Sequence, residues 1–227
     1  MRYAIGDIHG GSKTFQALLD RLSLKQGDTV YLLGDYVDRG NDSKGVLDTI
    51  LQLMDAQYNV RPIRGNHDDM MLRNFTGDHD EYSELWMEYW GCRTLQSFGV
   101  EKACKLQSKY LNLLASLPYV LCEDDFVFVH ASLDMTKPDP IHESEPAVML
   151  WQEIGSILSA RLAGRRLVTG HKIRTMPNII SSLKMNHIEL DNGAYSDLAP
   201  SVGSLVALNL DTMEITAQRW TDGEVFP

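Results

Sequence analysis

Three short clusters of polar residues, each opened by a glycine, are the part of this sequence best suited to chemistry. They are Gly6–Gly10 (GDIHG), Gly34–Gly40 (GDYVDRG) and Gly65–Asp68 (GNHD). Together they offer carboxylate, imidazole and carboxamide donors, a mixture that suits Mn²⁺, Fe or Zn²⁺. Any one cluster could simply close a turn, because its residue pairs are common in turns. The occurrence of all three in one chain favours a shared metal site.

Each cluster follows a segment whose pattern predicts a β-strand, and amphipathic helical patterns separate these segments. The strands are predicted at Arg2–Ile5, Thr29–Leu33 and Asn59–Ile63. Strands that alternate with helices are typical of parallel βαβ units, whose carboxyl ends open onto a common crevice. We therefore expect the three clusters to converge. Pro62 indicates that the third strand ends early or lies at an edge, and Ser43 is predicted to cap the second helix.

The remainder of the chain divides into a helical middle and a strand-rich second half. Residues 68–117, rich in Met, Trp and Tyr, are predicted to form a helical cap beside the site, and Asp134–Pro146 a surface loop. Further strands are predicted at Phe126–Val129, Leu167–Thr169, His187–Leu190, Ser204–Leu210 and Glu214–Trp220. Because no repeat or linker is evident, we predict one domain over residues 1–227. The expected fold is of the α/β (α+β) class, with two mixed sheets flanked by helices in a four-layer αββα arrangement.

Composition argues against several other classes of protein. The formal net charge of -10 disfavours a nucleic-acid-binding surface, which needs clustered Lys and Arg. No apolar run approaches the ~20 residues that a membrane span requires. The three cysteines, Cys92, Cys104 and Cys122, show no CxxC pairing and fit reduced thiols better than a disulfide framework. We expect a cytoplasmic protein that binds neither nucleic acid nor membrane.

The three clusters resemble the signature blocks GD(x)HG, GD(x)VDRG and GNH(D/E) of the phosphoprotein phosphatase family of metallophosphoesterases. Weaker similarity continues through Trp86–Gly99, Val129–Ala131, Leu150–Trp151, Thr169–His171 and Ile188–Ala194. The chain is more similar to the bacterial and phage-type serine/threonine protein phosphatases than to the longer eukaryotic members. The resemblance implies a calcineurin-like metallophosphoesterase fold with two divalent metal ions.

Carried over residue by residue, the resemblance assigns six metal ligands. Asp7 and His9 would bind the first metal and Asp35 would bridge the two metals. The second metal would be held by three further residues, Asn66, His130 and His171. Mn²⁺ is the expected metal, with Fe or Zn²⁺ as alternatives. The other histidines, His79, His142 and His187, lack a comparable context and are interpreted as structural or solvated.

The resemblance also implies a mechanism. Two metals ~3.5–4 Å apart would acidify a bridging water, so that a hydroxide attacks phosphorus directly and no phosphoenzyme forms. His67 would protonate the leaving group and Asp38 would orient its imidazole. Arg39 would bind the phosphoryl oxygens through its planar fork. Arg64 is a further candidate for substrate binding, although a structural ion pair is an equal alternative.

Two positions depart from the family pattern. Relatives commonly carry a phosphate-binding arginine two residues after the tryptophan that matches Trp151, but this chain has Glu153 there. Glu153 could lie at the rim of the site or simply be solvated. Another arginine could replace the missing one, and the candidates are Arg161, Arg165, Arg166 and Arg174. The usual Gly-His-Thr-Pro turn instead reads Gly170-His171-Lys172-Ile173, which places a new cation beside the site.

The sequence therefore supports three hypotheses about function. The first is a metal-dependent phosphatase for phosphoserine and phosphothreonine, with phosphotyrosine a further option, acting on phosphorylated proteins or small phosphoesters. The alternative is a symmetrical dinucleoside tetraphosphate hydrolase, which would share the fold and motifs. The complete Val37–Gly40 block favours the phosphatase, because those nucleotide hydrolases often lack its aspartate. The third hypothesis, a scaffold without catalysis, is disfavoured because all six ligands and His67 are present.

Overall fold

The computed structural model describes residues 1–76, 81–153 and 159–224, which form two mixed β-sheets. One sheet has the order β3-β2-β1-β8-β9 and the other β4-β5-β6-β7. The strands are β1 (Arg2–Ile5), β2 (Thr29–Leu32), β3 (Asn59–Pro62), β4 (Val120–Cys122), β5 (Phe126–Val129), β6 (Arg166–Thr169), β7 (His187–Glu189), β8 (Ser204–Asn209) and β9 (Ile215–Arg219). Strands β1, β2 and β3 are parallel, as are β5, β6 and β7.

Helices connect these strands and cover the outer faces. They are α1 (Ser12–Leu22), α2 (Ser43–Asp55), α3 (Asn66–Thr76), α4 (Glu81–Trp86), α5 (Cys92–Ser97), α6 (Ser108–Ser116), α7 (Pro140–Glu143), α8 (Pro146–Trp151) and α9 (Met176–Ser182). A π-helical turn, Met87–Gly91, joins α4 to α5. Helices α3 to α6 thus occupy the segment predicted to be a helical cap.

The alternation of apolar side chains along the strands explains how the sheets pack. In β2, Tyr31 points between the two sheets, whereas Val30 and Leu32 point to the opposite face. In β5, Phe128 points between the sheets, and its ring stacks on Tyr31 with centroids 4.2 Å apart. Successive side chains in a strand face opposite sides of the sheet, so each of these sheets has two apolar faces. Each face must therefore pack against another layer of the protein.

Helices supply those outer partners. Phe15 and Leu18 of α1 and Leu47 of α2 pack in the cluster that covers the first sheet. Ile141 of α7 and Met149 of α8 pack in the cluster that covers the second sheet. The order of layers is helix, sheet, sheet, helix, so the predicted four-layer αββα fold is confirmed.

Several local predictions need correction. Ser43 does not cap α2, because the carboxylate of Asp42 accepts the capping hydrogen bond from the Gly45 amide at 2.8 Å. The strand Val120–Cys122 was not predicted, and the loop Asp134–Pro146 contains the one-turn helix α7. The prediction for Pro62 is confirmed, since β3 ends there and lies at the edge of its sheet.

Two negative findings concern the described part of the chain only. All three cysteines are free and exposed. None of the described helices has both the length and the apolar character that crossing a bilayer requires. The assignment of residues 1–227 to a single domain stays a prediction.

Candidate metal and phosphoester site

The carboxyl ends of the parallel strands of both sheets meet at one buried site. The turns after β1, β2 and β3 contribute Asp7, His9, Asp35 and Asn66, and the segments after β5 and β6 contribute His130 and His171. Five of the six side chains belong to residues with at most 4% exposure, and His171 is half-buried. The structure therefore brings all six predicted ligands together.

Asp35 lies at the centre of this group. Its Oδ2 is 3.4 Å from Nε2 of His9 and 3.5 Å from Nε2 of His130. Two groups of potential ligand atoms share Asp35, and within each group the atoms lie within 4.8 Å of one another. His9 and His67 complete one group, and Asp7 and His130 complete the other. A carboxylate common to both sets is the arrangement that a bridging ligand needs.

The second-sheet histidines meet Asn66 across the gap between the sheets. The Oδ1 atom of Asn66 lies 2.8 Å from Nε2 of His130 and 3.2 Å from Nδ1 of His171. Those two ring nitrogens are themselves 3.2 Å apart. Three donor atoms converge within hydrogen-bond distance, which is the proximity expected of ligands around one small cation.

Backbone carbonyls select the tautomers of two histidines. The Nδ1–H group of His130 donates to the Leu33 carbonyl at 2.8 Å, and that of His9 donates to the Val37 carbonyl at 3.1 Å. In each ring this leaves Nε2 without a proton and directed at Asp35. Hydrogen bonds of this kind orient metal-ligating histidines and raise their basicity.

The buried carboxylates fit a bound cation. Oδ1 of Asp7 is buried and has no hydrogen-bond partner among the described residues, and such an orphaned anion is costly to bury. Burial, followed by the nearby charges of Asp191 and Asp35, raises the pKa of Asp7 well above its usual range. Two divalent ions would neutralise these carboxylates, so the donor set fits a binuclear metal site.

The surroundings of the three histidines predicted to be ligands favour the neutral imidazole. Burial lowers the pKa of His9 to about 3 and that of His171 to about 4. Burial also lowers the pKa of His130. Since only a neutral imidazole has a lone pair free for a metal, these shifts favour metal binding.

Five site residues adopt left-handed backbone conformations, which are strained for residues other than glycine. They are His9, Asp35, Asp38, Arg39 and His171, with φ between 48° and 71°. The described part of the chain contains nine such residues in all. More than half of this backbone strain is therefore concentrated at the site, as is common where geometry serves function.

Two glycines allow the close approaches that the site requires. A Cβ on Gly65 would collide with the backbone and carboxylate of Asp35, and one on Gly170 would collide with Oδ1 of Asp7.

The amide of His171 donates to Oδ2 of Asp7 at 2.9 Å, which ties the second sheet to the first.

Asp68, the last residue of the third cluster, has a structural role that the sequence did not predict. Its carboxylate accepts hydrogen bonds from the amides of Asp35 at 2.8 Å, Tyr36 at 2.9 Å and Gly65 at 2.9 Å. It thereby joins the turns after β2 and β3. The only sequence signal was an acidic residue directly after the Gly-Asn-His block.

His67 and Asp38 form a buried pair beside the six ligands. Nδ1 of His67 is 2.7 Å from Oδ2 of Asp38, so Nε2 is the nitrogen left to act on a substrate. Burial lowers the pKa of His67, but the carboxylates of Asp35 and Asp38 outweigh burial, and the pKa is raised above its usual value. The surroundings of His67 therefore favour the protonated imidazole.

The helical segment completes the hydrogen bonding of Asp38. Nε1 of Trp86 donates to both carboxylate oxygens at 3.0 and 2.9 Å, and Oγ1 of Thr94 donates to Oδ1 at 2.5 Å. The hydroxyl of Ser43 accepts from the Asp38 amide at 3.0 Å. The similarity over Trp86–Gly99 did not predict the role of Trp86 and Thr94, because both lie about 50 residues beyond Asp38 along the chain.

Arg39 lies between two aromatic rings. Its guanidinium carbon is 4.8 Å from the ring centroid of Trp90 and 5.3 Å from that of Tyr195. Nε of Arg39 and Nε1 of Trp90 are buried donors without an acceptor among the described residues. The Trp90 ring also lies 4.7 Å from that of His67. Two donors without an acceptor, in contact with the His67 ring, suit an anionic ligand.

Arg64 is committed to protein contacts. Its terminal nitrogens donate to Asp69 at 3.1 Å, to the Tyr119 hydroxyl at 3.0 Å, and to the backbone carbonyls of Leu114 and Ala115 at 3.0 Å. These contacts match the structural ion pair that was weighed as the alternative. Substrate binding by Arg64 stays a prediction.

Glu153 lies beside the site and pairs with the new cation. Its carboxylate forms an ion pair with Nζ of Lys172, the neighbour of His171. This hydrogen bond, and then the charge of Lys172, lowers the pKa of Glu153. The side chain is 70% exposed, so both of the weighed alternatives apply in part: Glu153 is at the rim and it is solvated.

The four candidate replacement arginines make contacts elsewhere. Arg161 donates to the carbonyls of Thr136 and Lys137, and Arg165 to that of Glu123.

Arg166 donates to the carbonyls of Leu183 and Met185, and Arg174 pairs with Glu189 at 2.6 Å. Arg174 also lines a small cavity at the edge of the site, together with Glu153, His171 and Lys172. Of the four candidates, it is therefore the one that lies beside a predicted ligand.

The remaining histidines have ordinary surroundings where they are described. His142 is exposed and lies 2.8 Å from Asp139. Nε2 of His187 lies 2.8 Å from the Thr169 hydroxyl. His79 lies outside the described residues.

Comparison with known proteins connects this geometry to a family. The family model described as calcineurin-like phosphoesterase matches residues 3–191. A symmetrical bis(5′-nucleosyl)-tetraphosphatase of Nitrosomonas europaea is 34% identical over 158 residues, which cover 69% of this chain and 52% of that protein. The enzyme of the same name from Pectobacterium carotovorum is 30% identical over 164 residues, covering 70% of this chain and 50% of that protein. The chain thus spans about half the length of these curated relatives.

Solved structures share the fold at lower identity. A chain provisionally assigned as a diadenosine tetraphosphatase has a TM-score of 0.68 and 21% identity, with 98% of this chain and 94% of that chain covered. A protein serine/threonine phosphatase from Saccharomyces cerevisiae has a TM-score of 0.62 and 16% identity, with 98% and 80% covered. These likenesses establish the fold alone.

Proposed function

This chain belongs to the calcineurin-like phosphoesterase family, and from that premise we propose that it is a metal-dependent hydrolase that cleaves dinucleoside tetraphosphates symmetrically into two nucleoside diphosphates. The single observation that carries the proposal is the 34% sequence identity to the Nitrosomonas europaea tetraphosphatase, which extends over 69% of this chain. The relatives therefore favour the alternative drawn from the sequence over the protein phosphatase that was placed first.

In this reaction water adds to one of the two central phosphorus atoms and the bridging P–O bond between them breaks. Asp7, His9, Asp35, Asn66, His130 and His171 would hold the two metal ions. When bound, divalent ions supply Lewis acidity toward phosphate oxygens and lower the pKa of a coordinated water. The identity of the metal stays a prediction, with Mn²⁺ expected.

Arg39 and His67 act on the phosphate groups directly. The Arg39 guanidinium, free of any acidic partner among the described residues, binds non-bridging oxygens and stabilises the charge that develops there. His67 protonates the bridging oxygen as it leaves, because Nδ1 is occupied by Asp38 and Nε2 remains available.

The protein phosphatase hypothesis keeps one specific observation in its favour, the complete support of the His67–Asp38 pair. An alkoxide leaving group from phosphoserine needs a proton far more than a phosphate leaving group, whose conjugate acid has a pKa near ~6. A strongly supported proton donor therefore suits a phosphate monoester of a serine or threonine side chain.

Parallel turnover assays distinguish the two functions. The Mn²⁺-loaded protein would be given diadenosine tetraphosphate, p-nitrophenyl phosphate, and phosphoserine, phosphothreonine and phosphotyrosine peptides, and the nucleotide products would be separated by chromatography. We expect the highest kcat/KM for the tetraphosphate, with ADP as its only nucleotide product. The Asp35→Asn variant, purified identically, controls for contaminating phosphatases. ATP and AMP as products, or a higher kcat/KM on a phosphopeptide, would overturn the proposal.

A further inference from the structure

A cleft of about 700 Å³ opens directly from Arg39 and is not used by the chemistry described above. Its size lies within the range of ~300–1,000 Å³ that is usual for small-molecule sites. The residues that matter for its chemistry are Arg39, Tyr195, Asp197, Leu198, Trp220 and Glu224. We call this the C-terminal cleft, since most of its lining follows β7.

The C-terminal cleft and the metal site share a wall. The Tyr195 ring meets the His9 ring edge-on, with centroids 4.9 Å apart, and its other neighbour is the Arg39 guanidinium. A phosphate group held between Arg39 and the metal ligands therefore has the C-terminal cleft as its next surroundings. A group attached to that phosphate on the Arg39 side would extend into the cleft.

The lining offers a fixed aromatic ring and exposed apolar surface. Nε1 of Trp220 donates to the Gly223 carbonyl at 2.9 Å, and the ring packs so closely on Gly11 that a Cβ there would collide with it. The indole is thus held in one orientation. Leu198 is 84% exposed, the highest value of any large hydrophobic side chain that the structure describes.

The cleft also carries polar groups at its edge. The carboxylates of Asp197 and Glu224 line it, and carboxylates readily accept hydrogen bonds from hydroxyl groups. A nucleoside combines the matching features: a flat base that stacks on an aromatic ring and a ribose with two hydroxyl donors.

We propose that the C-terminal cleft binds the base and ribose of one nucleotide half of the substrate, with the base against Trp220 and Leu198. The inference rests on the proposed function for the substrate as a whole. A concave site of this volume with aromatic and aliphatic walls fits a nucleoside better than it fits the extended backbone of a phosphopeptide.

The test compares Trp220→Ala and Leu198→Ala with the wild type and with Ile180→Ala. Ile180 is also an exposed apolar residue, at 52%, and lies outside the cleft lining. In the Mn²⁺-loaded protein, KM for diadenosine tetraphosphate should rise about tenfold in Trp220→Ala, the size of one base–aromatic contact. A smaller rise is expected in Leu198→Ala. The kinetics on p-nitrophenyl phosphate should be unchanged.

Inhibition of p-nitrophenyl phosphate hydrolysis gives a second measurement that does not depend on the proposed substrate. ADP should inhibit the wild type, and its Ki should rise in both cleft variants but not in Ile180→Ala. The Ki of inorganic phosphate should be the same in all four proteins. Because Leu198 is exposed, its variant remains informative if Trp220→Ala fails to fold.

The outcomes separate this inference from the proposed function. If the tetraphosphate is cleaved but KM and the Ki of ADP are unchanged in Leu198→Ala and Trp220→Ala, the nucleoside cleft is wrong and the function stands. If phosphopeptides are the better substrates but the Ki of ADP still rises in the variants, the function is wrong and the nucleoside cleft stands. A wild type that ADP does not inhibit overturns the cleft directly.

Discussion

Two neighbouring parts of the site contain histidines whose pKa values are shifted in opposite directions. One part, which we call the metal pocket, is formed by the six predicted metal ligands. There, burial lowers the pKa of His9 to about 3, and the pKa values of His130 and His171 are also lowered. The other part, which we call the proton-donor pair, consists of His67 and Asp38. There, the carboxylates of Asp35 and Asp38 raise the pKa of His67 despite burial. The rings of His9 and His67 are only 4.9 Å apart. Both rings are buried and both feel the charge of Asp35, so the difference between their pKa values comes from other neighbours. The charge of His67 lowers the pKa of His9, and the two rings have different partners at Nδ1.

For His9 and His130 that partner is a neutral backbone carbonyl, which orients the ring without adding charge. In the proton-donor pair it is the carboxylate of Asp38, which favours the cation. Two histidines in one cavity can therefore suit different roles, one as a metal ligand and the other as a general acid. Variants that exchange or weaken these partners should therefore affect different steps.

The largest effect should come from Asp35→Asn in the metal pocket. The change removes the carboxylate shared by both ligand sets, and several kcal/mol of charge stabilisation with it, so kcat should fall by about 10³-fold or more. Elemental analysis should show metal content reduced together with kcat. Chelation of the wild type should abolish turnover, and added Mn²⁺ should restore it.

Asp20→Asn is the matched control, because Asp20 is an exposed acidic residue on α1 whose carboxylate accepts a hydrogen bond from the Gln16 side chain and faces none of the predicted ligands. It should retain full activity and metal content. Undiminished turnover in Asp35→Asn, or in a verified metal-free wild type, would contradict the assignment of the metal pocket.

The next largest effect should come from His67→Asn in the proton-donor pair. Loss of a general acid should slow phosphoserine peptides by ~10²–10⁴-fold and p-nitrophenyl phosphate far less. Cleavage of the tetraphosphate, whose leaving group is a phosphate, should be slowed by an intermediate factor. Metal content should stay at the wild-type value, which separates this pair from the metal pocket. Equal losses on all three substrates would instead make His67 a metal or phosphate ligand.

A smaller loss is expected from Trp86→Phe, which removes an indole donor from Asp38 without touching the metal pocket. A hydrogen bond to a charged group is worth ~1.5–3 kcal/mol, so kcat on phosphoserine peptides should fall by roughly 10–100-fold. Tyr89→Phe, at an exposed aromatic residue in the same segment, should leave kcat unchanged.

A double variant tests whether Trp86 acts through His67. If it does, Trp86→Phe should cause no further loss of kcat in the His67→Asn background, because Trp86 and His67 then act as one unit through Asp38. Additive losses would show that Trp86 supports activity by a route other than Asp38 and His67.

The smallest effect should come from Glu153→Gln at the outer edge of the metal pocket. Removing the exposed carboxylate releases Lys172 from its ion pair, so KM for p-nitrophenyl phosphate should fall, by no more than about fivefold. The change should be screened by added salt. Lys172→Gln should not lower KM, since it removes the cation that Glu153→Gln sets free. A KM that rises in Glu153→Gln would refute this account.

Most of the fold was predictable from the sequence because short-range patterns carry it. The apolar segments at Arg2–Ile5 and Phe126–Val129 are strands with the predicted bounds, and the glycine clusters follow strands as expected. Alternation with helices predicted parallel strands, whose carboxyl ends had to share one edge. From this the convergence of Asp7, Asp35 and Asn66 followed with no knowledge of their contacts.

Only the tertiary structure distinguished residues of the same type. Arg39 and Arg64 both adjoin a signature block, yet Arg39 lies between Trp90 and Tyr195 while Arg64 is bonded to Asp69 and nearby carbonyls. The reason is that an arginine's role depends on acceptors contributed by distant segments. Local sequence does not encode those positions.

The same reason explains the proton-donor pair. The sequence by itself determined that His67 and Asp38 are present, next to strands whose ends converge. The donors of Trp86 and Thr94 lie 48 and 56 residues beyond Asp38, and only the packing of the helical segment on the first sheet brings them to its carboxylate. Side-chain chemistry and strand order are local properties of the chain, whereas the partner that sets a pKa is a property of the folded molecule.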